Sequence, residues 1–467
     1  MRRFTIVAAA ALTLSGCASF SPDGGFDEVS ALTRERVGQP AALQRTPGQS
    51  ETARARVAEL LTQPLTAEDA VELALLNNRA LQARFGELGI AEADLVRAGR
   101  LRNPLFGFGR LEGGGVVEID RALMFDILGL LTMPAAVRVE RQRFEQAQVQ
   151  AAHEAVGLAA QARRAWFGAV AARELLRYQE QVREAADAAS ELARRMVEAG
   201  NFSPLAQMRE QTFYADATAR LARARHHAVA ERERLARLLG LSDERAFSLP
   251  ERLPSLPDAP TEPRDAEQTA LDRRLDVLTA RRATEATARS LGLTRATRWV
   301  NVLELGYQNK SETGASRQNG YELELELPLF DFGSARTARA EALYLQALNR
   351  AAAVAVQARS EVRESYSAYR TAYDLARHYR DEVVPLRKRI SEENLLRYNG
   401  MLIGVFELLA DAREQVASVS GSVEALRDFW VAETDLQHAL AGGSPVAAAA
   451  FPWPIAAEPV AARVDRP

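Results

Sequence analysis

The stretch Tyr321-Glu322-Leu323-Glu324-Leu325-Glu326-Leu327-Pro328 narrows what this chain can fold into more than any other. Strand side chains switch faces at every residue, so Tyr321, Leu323, Leu325 and Leu327 point one way and the three glutamates the other. One face is oily and the other carries charge. That pattern suits a wall between lipid and water, and the run has about the length of a tilted strand crossing a bilayer. It also suits the half-exposed strand of a soluble sheet. Pro328 ends the pairing, and after Leu329-Phe330-Asp331-Phe332-Gly333 a long Ala/Arg/Glu-rich helical pattern begins near Ser334.

The remaining sequence narrows that choice. Past the first twenty residues no apolar run reaches about 18, so a membrane crossing by helix is not expected. The other spanning structure that satisfies its backbone in lipid is a closed β-barrel. The 467 residues are 26% charged, rich in Ala, Glu, Arg and Leu, with a formal net charge of -3. Such a composition favours long helices and leaves no electrostatic footprint for nucleic acid.

The single cysteine is informative by position. Met1-Arg2-Arg3 and the apolar run Phe4 to Leu14 form a secretory signal over residues 1–16. Leu14-Ser15-Gly16-Cys17 resembles a bacterial lipobox, which makes Cys17 the expected lipidation site. Ala18 in the following position suggests sorting to the outer membrane, as in lipoproteins of this type. No disulfide can form within one chain.

In order, residues 17–63 are punctuated by Gly, Pro and Ser and are expected to be a tether, with a short helix near Ser50 to Leu61. A first repeat follows over 64–240. Thr66-Ala67-Glu68-Asp69 opens a helix running to about Ala98 through a capping box. Strands are expected at about 102–110 and 116–126 around the Gly113-Gly114-Gly115 turn. In the second strand Val117, Ile119, Leu123 and Phe125 share a face, Glu118 and Asp120 take the other, and Arg121 breaks the apolar side. A helical hairpin over 134–240 starts at Pro134, runs about 65 residues without a breaker, and turns at Ala199 to Pro204. Its returning arm carries two seams at three-four spacing, one through Leu205, Met208, Thr212 and Ala215 and one through Tyr214, Ala217, Leu221 and Ala224. Two seams indicate a helix with neighbours on both sides.

A proline-rich connector spans 241–264, and the same programme then repeats over 265–441. Strands at about 298–309 and 320–330 precede a helical hairpin over 334–441, bent or broken at Pro385 and turning at Asn399 to Gly404. Residues 442–467 are Ala/Pro-rich and read as a disordered tail. The fold class is therefore mainly α with a small β part, built as two tandem repeats of helix, β-hairpin and long helical hairpin.

That order, written twice behind a lipobox, closely resembles the TolC-like outer-membrane efflux proteins over roughly residues 60–441. Pro328 to Gly333 followed by Arg336 resembles the strand-to-helix junction of that family. Arg397-Tyr398-Asn399-Gly400 with Glu407 to Arg413 resembles its periplasmic helix tip. The resemblance implies a homotrimer in which three chains close a twelve-stranded barrel continued by an α-helical tunnel. Independently, four strands cannot close a barrel alone, and their edges would be unsatisfied in lipid.

The implied function is conduction rather than catalysis. The protein would serve as an outer-membrane exit duct, anchored in outer-membrane lipid and reaching into the periplasm. Its expected partners are a periplasmic adaptor protein and an inner-membrane pump, of RND or ABC type. Alternatives are a type I protein secretion duct and a pore-less, lipid-anchored coiled-coil scaffold. Glu118, Asp120, Glu322, Glu324 and Glu326 are expected to face the lumen, where carboxylates either favour cations or keep the wall wet. Phe406, Glu407, Leu409 and Asp411 are candidates for a periplasmic gate. Gly200, Asn201, Phe202, Ser203, Gly400, Met401 and Leu402 are candidate adaptor-contact tips, with Phe202 and Leu402 exposed. No metal or cofactor is expected: the five histidines lack ligand spacing, and Asp331-Phe332-Gly333 lacks the companion loops of a kinase.

Overall fold

Helix ends in this chain are set by short polar caps, and those caps place the strands. A computed structural model describes residues 19–243, 246–300, 302–326 and 328–444. Cys17, the signal segment 1–16 and the tail from 445 lie outside the described residues. The chain divides into two compact units: one takes residues up to Ala162, Leu235–Leu249 and Leu271–Gln357; the other takes Arg163–Arg234, Pro250–Ala270 and the chain from Ala358.

In the first unit, the segment expected to be a tether carries two packed helices, α1 (Phe26–Val37) and α2 (Pro47–Leu60). Gly25, Gly38 and Pro47 mark its helix ends and are not slack. Gly25 and Gly38 sit in the left-handed region at the two ends of α1. Thr46 and Gln49 form a capping box over Pro47 at the start of α2. Phe26 and Val29 lie in the core with Val71, Leu75, Phe85, Leu88 and Val156, and Phe26 meets Phe85 edge-on at 4.8 Å. The Glu92 carboxylate accepts from the Ser21 backbone N–H at 2.7 Å, which fixes the chain just before α1.

Thr66 and Asp69 form the expected capping box, but the helix they open is two helices, α3 (Ala67–Asn77) and α4 (Arg79–Ala98). Asn78 breaks it with ψ 113°, accepting from the Leu81 N–H at 3.0 Å. Its amide nitrogen donates to the Leu238 carbonyl at 2.9 Å, and that of Asn77 to Leu239 at 2.9 Å. These asparagines thus cap the C-terminus of a distant helix, an orphan-carbonyl need invisible to local sequence.

Four antiparallel strands follow the order β1 (Leu105–Gly113), β2 (Val116–Asp126), β3 (Leu303–Glu312) and β4 (Gln318–Leu325), so the two repeats join through β2 and β3. Prolines shift or trim two of the expected strands: β1 keeps nine residues but starts only after Pro104, which has no N–H to give. β4 stops before Pro328, although the Glu326 N–H still reaches the Val302 carbonyl at 3.3 Å.

Helix α5 (Ile127–Glu198) begins seven residues before Pro134, which lies inside it rather than at its start. Asp126 accepts from the Gly129 N–H at 2.7 Å and caps the first turn. The chain returns in α6 (Pro204–Leu238), then runs through α7 (Ala266–Arg273) and α8 (Leu275–Ala296) to the second hairpin.

Helix α9 (Ser334–His378) enters the second unit at Ala358 and passes into a π-helical turn, Tyr379–Val383, before α10 (Val384–Asn399) and α11 (Val405–Ala441). The expected disruption at Pro385 is this π turn, in which the Val384 N–H reaches back to the Tyr379 carbonyl. One extra residue per turn accommodates a proline without breaking the rod. Tyr369, Tyr373, Phe429 and Leu436 form the core, and the connector is strapped to it. The Tyr373 hydroxyl donates to the Asp258 carbonyl at 2.7 Å, and Trp430 Nε1 to Pro254 at 3.1 Å.

Candidate functional site

The register of the sheet assigns every strand residue to a face. Phe125, Leu305 and Leu323 form one cross-strand row; Leu123, Tyr307 and Tyr321 form the next. Phe106 and Phe108 join this face through β1. These side chains are largely bare, with Phe106 at 63%, Phe108 at 61%, Tyr321 at 87% and Leu323 at 66% exposure. The next row, toward the hairpin turns, keeps Phe108 on β1 but is polar across β2, β3 and β4. Arg121 Nη1 donates to Asn309 Oδ1 at 3.1 Å, and the Tyr307 hydroxyl donates to Asn319 Oδ1 at 2.9 Å. Arg121 therefore sits at the edge of the apolar band, with a partner.

The opposite face brings together Glu118, Asp120, Glu322 and Glu324, four of the expected lumen acids. Glu326 lies one residue beyond the end of β4. The alternation of β3 adds Glu304 and Glu312 to the same face, together with Gln308 and Lys310. The Lys310 ammonium pairs with Glu118, and the Gln308 amide donates to Glu322. Sequence reasoning passed over these β3 residues because the apolar half of that strand alternates weakly. Their signal was the i, i+2 spacing of Glu304, Gly306, Gln308 and Lys310. The glycines have a packing reason at Gly306, where an added Cβ would stand 2.1 Å from Met124 Sδ.

The two hairpin tips have one geometry. The Asn201 N–H bonds to Met196 and the Leu402 N–H to Arg397, each at 2.9 Å and five residues back. Gly200 and Met401 thus occupy the same left-handed slot, at φ 76° and φ 60°. Ser203 closes the first tip, accepting the Ala206 N–H at 3.2 Å. Met401 and Leu402 are bare, at 93% and 78% exposure. Phe202, expected to be exposed, is half-buried, which removes apolar area from water. Gly200, Asn201, Ser203 and Gly400 are exposed.

Among the gate candidates, Glu407 is exposed in the first turn of α11, Leu409 is half-buried, and Asp411 is buried with Oδ2 unpartnered. The Phe406 side chain lies outside what the structure describes. The strongest contact here was not foreseen. Arg413 Nη2 is 2.8 Å from Glu210 Oε1 of α6, and the Glu210 side chain is only 2% exposed. The same guanidinium lies 4.6 Å from the centroid of Phe213. Arg413 and Phe213 border a groove of about 720 Å³ that Leu205, Met208 and Arg220 also line. Glu210 and Arg413 are 203 positions apart, so no local pattern links them. Nearer the first tip, hydrogen bonds from Arg194 and then Arg195 hold the Glu191 carboxyl down at about 2.

No group of three or more His, Cys, Asp or Glu able to hold a metal occurs among the described residues, and none of their helices is long and apolar enough to cross a membrane. No family model matches the chain, and no curated protein matches its sequence. Solved structures do match. A membrane protein from Pseudomonas aeruginosa aligns at TM-score 0.69 and 18% identity, over 80% of this chain and 93% of that one. The outer membrane protein VceC from Vibrio cholerae aligns at 0.67 and 17%, over 81% and 96%. The outer-membrane channel OprN aligns at 0.67 and 19%, over 89% and 96%. The chain thus has the fold of the TolC-like outer-membrane channels.

Proposed function

We propose that this chain is one subunit of a trimeric outer-membrane exit duct. The observation that carries the reading is a four-stranded sheet with two unpaired edges, β1 and β4, one bare apolar face and one carboxylate face. Bare phenylalanines are costly in water, where an open edge also invites pairing with another chain, and open edges are costly in lipid, where no water satisfies them. Pairing β4 of one copy with β1 of the next removes both costs, and three copies give a twelve-stranded barrel. The α6 helix supports the same arrangement. Its Ala217 and Leu221 are buried within the chain, whereas Leu205, Met208 and Val229 on its other seam are each more than half exposed. A second copy is what that seam lacks.

In this reading the wall conducts and does no chemistry. Glu118, Asp120, Glu322, Glu324 and Glu326 line the pore and favour cations over anions. Glu407, Leu409, Asp411 and Phe406 form the periplasmic constriction, and the tips around Gly200 and Met401 meet a periplasmic adaptor that links the duct to an inner-membrane pump. A diacylglycerol on Cys17 adds an anchor four positions before Ser21, the residue that Glu92 holds.

The experiment is extraction and conductance. A Cys17→Ala protein should still need detergent, run as a heat-sensitive trimer and pass ions in planar bilayers. A soluble, monomeric, non-conducting Cys17→Ala protein would establish the scaffold reading instead.

A further inference from the structure

Where the sheet gives way to helices, opposite the hairpin turns, two chain passages lie side by side. Arg298 and Trp299 lead into β3; Leu329 to Gly333 lead out of β4. The Arg298 guanidinium lies 4.3 Å from the Trp299 ring centroid, and Trp299 meets Phe332 edge-on at 5.8 Å. Gly333, at φ 70°, lets this passage close on the Arg298 backbone: an added Cβ would stand 2.7 Å from the Arg298 carbonyl oxygen. Arg336 donates to that carbonyl at 3.4 Å. So the backbone here is built, while the side chains are presented outward. Trp299 and Phe332 are about half exposed, Leu329 is 68% and Phe330 99% exposed.

The charged member of the cluster is unspent. Arg298 Nε is buried and has no hydrogen-bond partner, and its guanidinium makes no ion pair among the described residues. Its counterpart in the first repeat, Arg102, lies 3.4 Å from Asp126. An arginine fixed over an indole, with free donors, beside bare apolar side chains, matches the boundary between acyl chains and headgroups. Guanidinium geometry suits phosphate.

We propose that Arg298 and Trp299 form a binding site for the phosphate-bearing headgroup of an anionic phospholipid in the leaflet facing the periplasm, with Leu329 and Phe330 against its acyl chains. This rests on the membrane-spanning reading of the sheet. The site would set the depth of the sheet in the bilayer, a function distinct from conduction.

The test places the full-length protein in lipid nanodiscs and reads Trp299 fluorescence as the difference from Trp299→Phe. Brominated phosphatidylglycerol diluted in phosphatidylethanolamine should quench it at about one tenth the concentration that brominated phosphatidylethanolamine diluted in phosphatidylglycerol needs, because both headgroups carry phosphate but the ammonium of phosphatidylethanolamine cancels the charge that attracts the guanidinium. Arg298→Gln should abolish the preference and leave the quenching. Equal quenching by the two lipids in the unaltered protein overturns the headgroup site. So does a preference erased by inorganic phosphate, which would make this a free-anion site. A Phe125→Trp reporter on the Trp299→Phe background separates the two readings. If it is quenched while Trp299 is shielded by a second copy, the lipid site fails and the channel stands. If neither is quenched, the sheet does not face lipid and both readings fall.

Discussion

Replacing Arg413 by alanine tests the helix contact behind the candidate gate. Glu210 is 1% exposed and its Oε2 is unpartnered, so the Arg413 guanidinium is its main compensation. Removing one member of a buried ion pair costs about 3–5 kcal/mol because a charge is left buried and alone. The Arg413 side chain is 36% exposed, which places the expected loss near the lower end, about 3 kcal/mol. The lost contact with the Phe213 ring adds about 0.5–1 kcal/mol. The reverse change is cheap: Glu210→Gln leaves an arginine that can reach water and should cost about 1 kcal/mol. The double variant, with no charge stranded, should recover about 2 kcal/mol relative to Arg413→Ala. Hydrogen exchange along α6 and the start of α11 reads this locally, with exchange faster by about 400- to 900-fold expected for Arg413→Ala. Lysine at 413 should recover only part, since it keeps the charge but not the plane or the fork. If Arg413→Ala and Glu210→Gln cost the same, or the double variant is as unstable as Arg413→Ala, the burial argument is wrong. In planar bilayers, Arg413→Ala should also lengthen openings if α6 and α11 separate on opening.

Three further outcomes follow from charge and backbone geometry. The Glu191 carboxyl is depressed to about 2 from 4.5, so what it contributes is complete above about pH 4.5 and disappears as pH falls toward 2; Glu191→Gln should remove that acid-limb slope from exchange at the end of α5, and an unchanged slope would refute the pairing with Arg194. Lys310→Gln should raise the cation-to-anion permeability ratio and neutralising Glu322 or Glu324 should lower it, each by up to about fivefold, the Boltzmann factor for roughly 1 kcal/mol at contact distance in water. Reversal potentials that do not move would show that the carboxylates only wet the wall. Met401→Asn should stabilise its tip by about 0.5–1 kcal/mol because asparagine tolerates the left-handed slot, whereas Gly200→Ala should cost about 1 kcal/mol; a tip that weakens adaptor binding while gaining stability would separate contact from strain.

The strands, turns and duplicated order were legible because their signals are local. Alternation over Tyr321 to Leu325 dictates two faces whatever surrounds them, and Gly113 to Gly115 or Asn399 to Gly404 bend a chain by their own dihedral preferences. The acids of β2 and β4 could be assigned to one side for the same reason. Less visible was anything whose cause lies elsewhere in the chain. Glycines and prolines around residues 25–47 look like a linker until Phe26 and Val29 are seen in contact with α4. Asn78 looks helical until it caps carbonyls about 160 positions away. The Glu210–Arg413 pair, the half-burial of Phe202 and the free donors of Arg298 depend on which helices or passages the tertiary fold sets side by side. Local patterning determines what each segment is; only long-range packing determines which of its polar groups find partners, and a function built on such pairings is decided there.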